Sequence, residues 1–278
     1  MTGRVKWQAT ITLSALVLAA GATAAYLSAT REIDKPIASV ALGGLVHARV
    51  VLPPGYDSSN RRYPVVYFLH GLPATSTSYK GNDWLIDALE QAGRAILVMP
   101  QGARDADTDP EYLDWGKNRE WATYVATELP RYVDSHFRTI PKRSARALIG
   151  ISAGGYGAMM LGLNHLATFS VIESWSGYFH PTDPTGTRAL NRGEHAVVHS
   201  LIPQLWRELQ QLPAFIGFYV GSGDERFRDE NQQLDRELRV AGVLHTFAVY
   251  PGAHMTSLWQ RHATTWLRLA LNRLVKPA

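Results

Sequence analysis

One serine in the sequence has glycine neighbours at a spacing that suits nucleophilic chemistry. Gly150, Ser152 and Gly154 form a Gly-x-Ser-x-Gly motif within ALIGISAGGYGAMM, residues 147–160. An apolar run precedes the serine and a helix-forming run follows it, so Ser152 is expected on a sharp turn between a strand and a helix. Side chains at the two motif glycines would collide with backbone in so tight a turn. The motif therefore predicts a nucleophile, with a glycine-rich turn without chemistry as the alternative.

A serine hydroxyl becomes a good nucleophile only when a base takes its proton, so the sequence must also supply a histidine and an acid that orients it. In this strand–turn–helix context the order along the chain is serine, acid, histidine. Asp224 follows the apolar run AFIGFYVG, and His254 follows the run HTFAVY. Both fall at predicted strand ends and in the required order. We therefore predict a catalytic triad of Ser152, His254 and Asp224.

The chain offers other candidates for the base and the acid. Among ten histidines, His180 is the strongest competitor because it too follows a predicted strand, whereas most others fall inside predicted strands or in or near helices. Glu225 adjoins Asp224 and could orient the base in its place. The segment DADTD at residues 105–109 superficially resembles a calcium loop, but Pro110 stands where that loop needs a glycine. A solvated loop is expected there, and no metal site is predicted.

Acyl transfer also needs hydrogen-bond donors for the negative charge that develops on the carbonyl oxygen. The backbone N–H of Ala153, directly after the nucleophile, is the first predicted donor of this oxyanion hole. The loop after YFLHG supplies the second through the backbone N–H of Leu72. Within that loop we expect Gly71 to let the chain turn back toward the site, and His70 to have a structural role. This chemistry requires no metal and no organic cofactor.

Strands that end at one edge of a sheet must position these groups. SVALGGLVHARVVLPPGY predicts a β-hairpin, and the short apolar runs YPVVYFLHG and AILVMPQG are typical of strands buried on both faces. Helices are predicted for DWLIDALEQAG, REWATYVATELPRYVDSHF, GGYGAMMLGLNHL, RDENQQLDRELRVAG and MTSLWQRHATTWLRLALNRLV. This alternation predicts an α/β fold with a mostly parallel central sheet and helices on both faces. Reactive groups then sit at the carboxyl ends of the strands. Residues 31–278 are expected to form one domain.

The first 30 residues have a different character. Arg4 and Lys6 precede a run without charge from Trp7 to Thr30, with small residues near its end. This pattern is typical of a secretory signal peptide, and the run is also about long enough, at roughly 20 apolar residues, to anchor the chain in a bilayer. We therefore expect an extracytoplasmic protein that is either secreted or anchored to the outer side of the cytoplasmic membrane through residues 1–30.

The overall composition excludes several other classes of function. The chain has 278 residues, of which 46% are hydrophobic and 19% charged, as in ordinary globular proteins. Two of the four net positive charges lie in the first six residues, so the remaining charge is too weak and too scattered to indicate nucleic-acid binding. No cysteine is present, which excludes thiol catalysis, disulfides and a lipoprotein anchor.

The chain resembles the putative-esterase (esterase D-like) family of α/β-hydrolases, which includes feruloyl esterases, S-formylglutathione hydrolases and mycolyltransferases. The similarity lies in successive blocks: VVLPPGY, YFLHGL, EYLDW, REWATYVATELPRYVDSHF, GISAGGYGA, GSGDE and YPGAH. It covers roughly residues 36–275 and implies an α/β-hydrolase fold. It also implies that Ser152 is the nucleophile, His254 the general base and Asp224 the orienting acid. By the same resemblance, the oxyanion donors are Leu72 and Ala153.

The sequence departs from particular branches of that family. Mycolyltransferases carry Asp-Gly-Leu-Arg at the oxyanion loop, where this chain has HGLP at residues 70–73, which disfavours acyl transfer to trehalose. S-formylglutathione hydrolases are cytosolic, unlike a chain that begins with an export-like segment. A feruloyl esterase would need an aromatic-binding cleft. Four aromatic residues could help line one, although core packing is the expectation for most of them: Trp84, Tyr112, Trp115 and Trp259.

Together these features predict an exported serine esterase that hydrolyses small-molecule or lipid carboxylic esters through an acyl-enzyme. If another alcohol instead of water intercepts that intermediate, the protein is an acyltransferase. A catalytically silent cell-surface binding module and a serine peptidase on the same scaffold are further alternatives. Substrate choice is expected to depend on the loops at residues 73–83, 101–117 and 178–200. The segments RDADTDPEYLDWGKN, residues 104–118, and YFHPTDPTGTRALNRGEH, residues 178–195, are expected to cap the site.

Overall fold

The computed structural model describes residues 30–107, 111–183 and 188–278. The predicted export segment therefore lies outside the described residues except for Thr30. Within the described ranges, eight strands form one sheet: β1 (Arg31–Ser39), β2 (Gly44–Leu52), β3 (Val65–Leu69), β4 (Ile96–Pro100), β5 (Arg146–Ile151), β6 (Val171–Trp175), β7 (Phe215–Gly221) and β8 (His245–Tyr250).

The strands lie in the order β1-β2-β4-β3-β5-β6-β7-β8 across the sheet. β1 pairs antiparallel with β2, and β2 pairs antiparallel with β4, whereas all pairs from β4 to β8 are parallel. The predicted mostly parallel sheet is confirmed. A hairpin is present, but its first strand, Arg31–Ser39, ends where the predicted stretch begins, and residues 40–43 form its turn. Alternate residues of REIDKPIAS face the protein and solvent, as in a strand with one covered face.

The described helices occupy both faces of this sheet, as predicted. They are α1 (Trp84–Ala92), α2 (Trp121–Thr123), α3 (Leu129–His136), α4 (Ala153–Asn164), α5 (Val198–Gln211), α6 (Arg228–Val240) and α7 (Thr256–Arg273). A π-helical segment, Tyr124–Glu128, joins α2 and α3 into one continuous helical stretch. Apolar residues of α1 and α7 belong to the core on one face, and those of α2 to α6 belong to the core on the other.

The central strands and helix explain where the site can form. All residues of β3, β4 and β6 are buried, so these strands have no solvent-facing side. α4 is buried along almost its whole length, which agrees with its nearly uniform apolar and glycine-rich sequence. The chain passes from β3 to β4 on one side and then crosses to β5 on the other. Such a reversal of strand order leaves a crevice at the carboxyl ends of the strands, where α/β sheets bind ligands.

No helix within the described ranges is long and apolar enough to cross a lipid bilayer.

Candidate active site

The turn between β5 and α4 holds Ser152 in an unusual backbone conformation. Its φ is 53° and its ψ is −122°, a combination that costs a non-glycine residue on the order of 1–3 kcal/mol. A Cβ atom on Gly150 would lie 2.0 Å from the carbonyl oxygen of Gly154, and one on Gly154 would lie 2.1 Å from that of Leu69. Glycine is therefore required at both motif positions, as the sequence predicted. The turn presents Ser152 at the N-terminus of α4, where negative charge is stabilised.

His254 lies between the other two members of the predicted triad. Its Nε2 is 2.9 Å from Ser152 Oγ, and its Nδ1 is 2.7 Å from Asp224 Oδ2. The carboxylate can only accept, so Nδ1–H donates to Asp224 and Nε2 is left to accept from the serine hydroxyl. Asp224 is only 2% exposed, which keeps water from competing for this hydrogen bond. The structure thus brings together three residues that follow β5, β7 and β8.

Two aromatic rings hold the imidazole of His254 in place. Phe227 and Trp259 each pack edge-on against it, with ring centroids 5.2 Å away in both cases. Trp259 is itself fixed because its indole Nε1–H donates to Ser176 Oγ over 3.1 Å. Of these two rings, sequence reasoning named Trp259 but missed Phe227, which lies three residues after Asp224.

The competing candidates are engaged elsewhere or exposed. His180 Nδ1 lies 2.5 Å from Glu230 Oε1, and this hydrogen bond raises the pKa of His180 above its usual range. Glu225 is exposed, whereas Asp224 beside it is buried and bonded to His254. The arrangement therefore favours His254 and Asp224 over both alternatives.

The loop after β3 passes directly beside the serine. β3 and β5 are neighbours with Leu69 opposite Gly150, so their carboxyl ends lie side by side. A Cβ atom on Gly71 would lie 3.0 Å from Ser152 Cβ and 3.2 Å from the Ile151 carbonyl oxygen, so a larger residue here would press on the turn that carries the serine. Within the described ranges, neither the Leu72 nor the Ala153 backbone N–H donates to a protein acceptor. Both remain available to an oxyanion.

His70 has the structural environment that the sequence predicted. Its side chain is buried, and Nδ1–H donates to the carbonyl oxygen of Gly71 over 2.9 Å. The Tyr112 hydroxyl donates to the His70 carbonyl oxygen, also over 2.9 Å. Burial lowers the pKa of His70, which favours the neutral ring. These contacts fix the start of the loop that carries Gly71 and Leu72.

An open cavity of about 590 Å³ reaches Ser152 and His254. The predicted loop at residues 73–83 contributes part of its wall, and the loop at 178–200 contributes Tyr178. In the described part of residues 101–117, no side chain lines the cavity, so the prediction that this loop shapes the pocket directly is not supported. Instead, the segments after β7 and β8 supply wall residues that sequence reasoning did not assign to a pocket: Arg226, Phe227, Met255 and Thr256.

The 101–117 loop acts on this wall indirectly. Glu111 is only 1% exposed and accepts hydrogen bonds from the Thr182 hydroxyl, over 2.7 Å, and from the Tyr178 hydroxyl. Its pKa is raised because burial penalises the charged carboxylate. Since Tyr178 lines the cavity, the carboxyl group of Glu111 holds one part of the cavity wall in position.

The other three aromatic candidates pack against neighbouring side chains away from the cavity. Trp84 contacts Phe68 and Trp175, with ring centroids 6.3 Å and 6.5 Å away. Tyr112 is buried beside His70, and the guanidinium of Arg192 lies over Trp115. None of the three lines the cavity, so Trp259 alone among the four predicted aromatics does so.

Two curated relatives connect the chain to enzymes of ester chemistry. A protein named as an esterase from Mycobacterium tuberculosis is 31% identical over 138 residues, which is 49% of this chain and 30% of that protein. The diacylglycerol acyltransferase/mycolyltransferase Ag85B of Mycobacterium avium is 33% identical over 143 residues, which is 47% of this chain and 41% of that protein. The chain thus spans less than half the length of these relatives.

Solved structures share the fold at lower sequence identity. A ferulic acid esterase superposes with a TM-score of 0.73 at 22% identity, covering 88% of this chain and 99% of that one. The S-formylglutathione hydrolase of Staphylococcus aureus gives 0.71 at 21% identity, covering 87% and 100%. MPT51 of Mycobacterium tuberculosis gives 0.69 at 16% identity, covering 89% and 100%. These likenesses confirm the predicted α/β-hydrolase fold.

The sequence model of the family described as "Putative esterase" matches residues 39–267. This range contains the strand-to-helix turn of Ser152, the loop of Leu72, and the strand ends that carry Asp224 and His254. It is well over half of the chain, and this chain therefore belongs to the "Putative esterase" family of α/β-hydrolases.

Proposed function

We propose that this protein is a serine esterase that hydrolyses carboxylic esters in two steps through an acyl-enzyme. Ser152 is the nucleophile, His254 the general base and Asp224 the acid that orients it. The observation that carries the proposal is the unbroken hydrogen-bond relay from Ser152 Oγ through the imidazole to Asp224 Oδ2, with steps of 2.9 Å and 2.7 Å. A chain of contacts with these lengths suits proton transfer in both directions.

In the first step, Ser152 Oγ attacks the ester carbonyl while its proton passes to His254 Nε2. The imidazolium that forms is stabilised by the buried carboxylate of Asp224, which keeps its own charge. Protonated His254 then gives its proton to the leaving alcohol, and the acyl group remains on Ser152.

The negative charge on the carbonyl oxygen would be accepted by the backbone N–H groups of Leu72 and Ala153. Two features support this assignment: neither group donates to a protein acceptor in the described ranges, and the Gly71 backbone lies against Ser152. The N-terminus of α4 adds a favourable partial positive charge at the same place.

In the second step, His254 activates a water molecule that hydrolyses the acyl-enzyme. An alcohol that reached the intermediate first would make the protein an acyltransferase. The relative named as a diacylglycerol acyltransferase/mycolyltransferase favours this second candidate function. The segment HGLP at residues 70–73, which differs from the mycolyltransferase block, argues against trehalose as the acceptor.

The binding-module and peptidase alternatives receive less support. A silent module does not require three side chains that follow three different strands to meet within hydrogen-bond distance. Membership of an esterase family favours esters over amides as substrates. We accordingly propose small-molecule or lipid esters as the substrate class.

We also propose that residues 1–30 direct the domain out of the cytoplasm, as their composition predicts. Fusing these residues to alkaline phosphatase, which is active only outside the cytoplasm, tests this point. An active fusion is expected. A fusion protein that accumulates intact but inactive would contradict export.

The enzymatic proposal is tested by hydrolysis of p-nitrophenyl esters from acetate to palmitate by residues 31–278. Ser152→Ala should lower kcat at least about 10⁴-fold, since the nucleophile is lost. The matched control is Ser135→Ala, which removes an exposed hydroxyl near the end of α3 and should leave kcat unchanged. Equal rates for wild type and Ser152→Ala would refute the proposed nucleophile.

A further inference from the structure

The charge distribution around the cavity is one-sided. Among the described residues that line it, Arg226 is the only permanently charged side chain, and neither an aspartate nor a glutamate lines the wall. Every other lining group is apolar, a neutral polar group or a histidine. A guanidinium in this setting creates a positive potential that attracts anions toward the reacting centre.

The guanidinium of Arg226 is not engaged by the protein. In the part of the chain that the structure describes, it makes no ion pair and no hydrogen bond, and its one recorded contact is the ring of Phe227, 4.8 Å from Cζ. Arg228, two residues later, differs: it pairs with Asp229 at 3.0 Å and donates to the Ser222 carbonyl oxygen at 3.0 Å. The N–H donors of Arg226 are therefore free to bind a ligand.

The local backbone places Arg226, whose side chain is exposed, close to the reacting centre. Arg226 lies between buried Asp224 and buried Phe227, and the Arg228 N–H donates to the Asp224 carbonyl oxygen over 3.0 Å. Phe227 in turn packs on the His254 ring. These contacts bring the guanidinium within about 10 Å of the imidazole, so a substrate group a few bonds from the reacting carbonyl can reach it directly.

We propose that Arg226 is a specificity-determining residue that binds an anionic group, such as a carboxylate, carried by the ester substrate a few bonds from the reacting carbonyl. The planar fork of arginine matches the two oxygens of a carboxylate, and among the described residues no carboxylate pairs with Arg226 and competes for it. The inference rests on the proposed esterase function and adds the substrate class: esters with a negative charge on either the acyl or the alcohol part.

Two matched substrate pairs test this inference and separate the two parts of the ester. p-Nitrophenyl hydrogen glutarate and p-nitrophenyl valerate compare a charged with a neutral acyl chain, and 4-acetoxybenzoate and 4-acetoxybenzamide compare a charged with a neutral leaving group. Arg226→Gln should lower kcat/KM about five- to tenfold for one or both anionic esters and change it less than about twofold for the neutral ones. Arg226→Lys should restore part of the loss.

The matched control is Arg207→Gln on α5, a helix that contributes no residue to the cavity wall among those described. It should leave all four values of kcat/KM unchanged. Turnover of the neutral esters with no Arg226-dependent effect on either anionic ester would overturn this inference alone, as would an equal loss on anionic and neutral esters. Failure of the wild-type protein to turn over any ester would overturn the proposed function and this inference with it.

Discussion

At the scale of single residues, the site depends on a serine held in a costly conformation and on a carboxylate kept from water. The backbone of Ser152 is stabilised because its N–H donates to the Trp175 carbonyl oxygen and its own carbonyl oxygen accepts from the Tyr156 N–H, both over 3.0 Å. Asp224 is buried beneath the imidazole of His254. The neighbouring residues hold both groups in place before any substrate binds.

Removing the charge of Asp224 should reduce catalysis without removing the side chain's shape. Asp224→Asn replaces an acceptor by an amide that can favour the wrong imidazole tautomer, so we expect kcat to fall about 10²- to 10⁴-fold. The measurement is steady-state hydrolysis of p-nitrophenyl acetate, with circular dichroism as a check on folding. Glu225→Gln, which changes the exposed adjacent acid, should stay within about twofold of wild type. The reverse ranking would assign the acid role to Glu225.

The triad candidates could be predicted from the sequence because their order and their positions after apolar runs are properties of the chain itself. The wall of the cavity could not, since it depends on which side chains point inward. Phe227 and Arg226 follow the acid closely, yet nothing in GSGDERF shows that both face the cavity. Tyr112 and Trp115 could have helped to line a cleft, and the structure places them against His70 and Arg192 instead.

At the scale of elements, the turn between β5 and α4 is set by how closely backbone segments approach each other. Gly150 faces the backbone of Gly154, and Gly154 faces the end of β3. These contacts fix the distance between the β3 loop and Ser152. The geometry of the proposed oxyanion hole therefore depends on residues that take no part in the chemistry.

Adding one methyl group at Gly150 should disrupt this turn. In Gly150→Ala the new Cβ would meet the Gly154 carbonyl oxygen at 2.0 Å, and backbone cannot move aside cheaply. We expect a loss of about 3 kcal/mol or more, seen as a fall in Tm of at least about 6 °C. Gly44→Ala is the control, because a Cβ there has no atom within 4 Å. A Tm for Gly150→Ala close to that of the control would show that the turn is not tightly packed.

The predicted helices and strands are present, but α5 was not among the predicted segments. Its sequence, VHSLIPQLWRELQQ, carries Pro203 in the helix interior, and proline there usually ends a helix. Tertiary packing outweighs that penalty, since Val198, Ile202 and Leu205 are all buried. The apolar face of α5 becomes evident only when the core that it covers is known.

At the scale of the whole molecule, a cluster of four ionisable residues joins the loop after β6 to α5 and α6. Glu230 lies 2.5 Å from His180 Nδ1 and 3.3 Å from His199 Nε2, and His199 Nδ1 lies 2.5 Å from Glu237. Burial alone would raise the pKa of Glu230, but its hydrogen bonds to the two histidines lower it to about 2. For His199, the pKa-lowering effect of burial is outweighed by hydrogen bonds to Glu230 and Glu237, and its pKa is raised.

These shifts predict how stability depends on pH. A group whose pKa is raised by folding stabilises the fold fully at pH values below its pKa in the unfolded chain, which is about 6.5 for histidine. This stabilisation is lost as the pH rises through the pKa of the group in the folded protein. Glu230 contributes above its unfolded pKa and loses its contribution as pH falls toward about 2. The cluster therefore stabilises the protein most in mildly acidic solution and less in alkaline solution.

Raising the pH from about 6 to about 9 should therefore lower the Tm of wild type by about 2 to 4 °C more than that of His199→Gln. This difference corresponds to about 1 kcal/mol in the free energy of unfolding. Calorimetry across this range measures the difference. His136→Gln, an exposed histidine at the end of α3, should keep the wild-type pH dependence. Parallel curves for wild type and His199→Gln would mean that the cluster is not charged in the folded protein.

The global architecture could be predicted from the alternation of apolar strands and helical segments, and the structure confirms it. The central strands are apolar on both faces because helices cover both, as YPVVYFLHG and AILVMPQG indicate. The cluster around Glu230 had no comparable signal, since His180 and Glu237 lie 57 residues apart and its members meet only where the loop after β6 and α5 pack on α6.

Covalent labelling with a fluorophosphonate probe, followed by peptide mass spectrometry, shows whether Ser152 is an activated nucleophile. We expect one adduct, located on Ser152, and much slower labelling of His254→Ala because the serine loses its base. An unlabelled but folded protein, or an adduct that persists in Ser152→Ala, would mean that Ser152 is not the activated nucleophile.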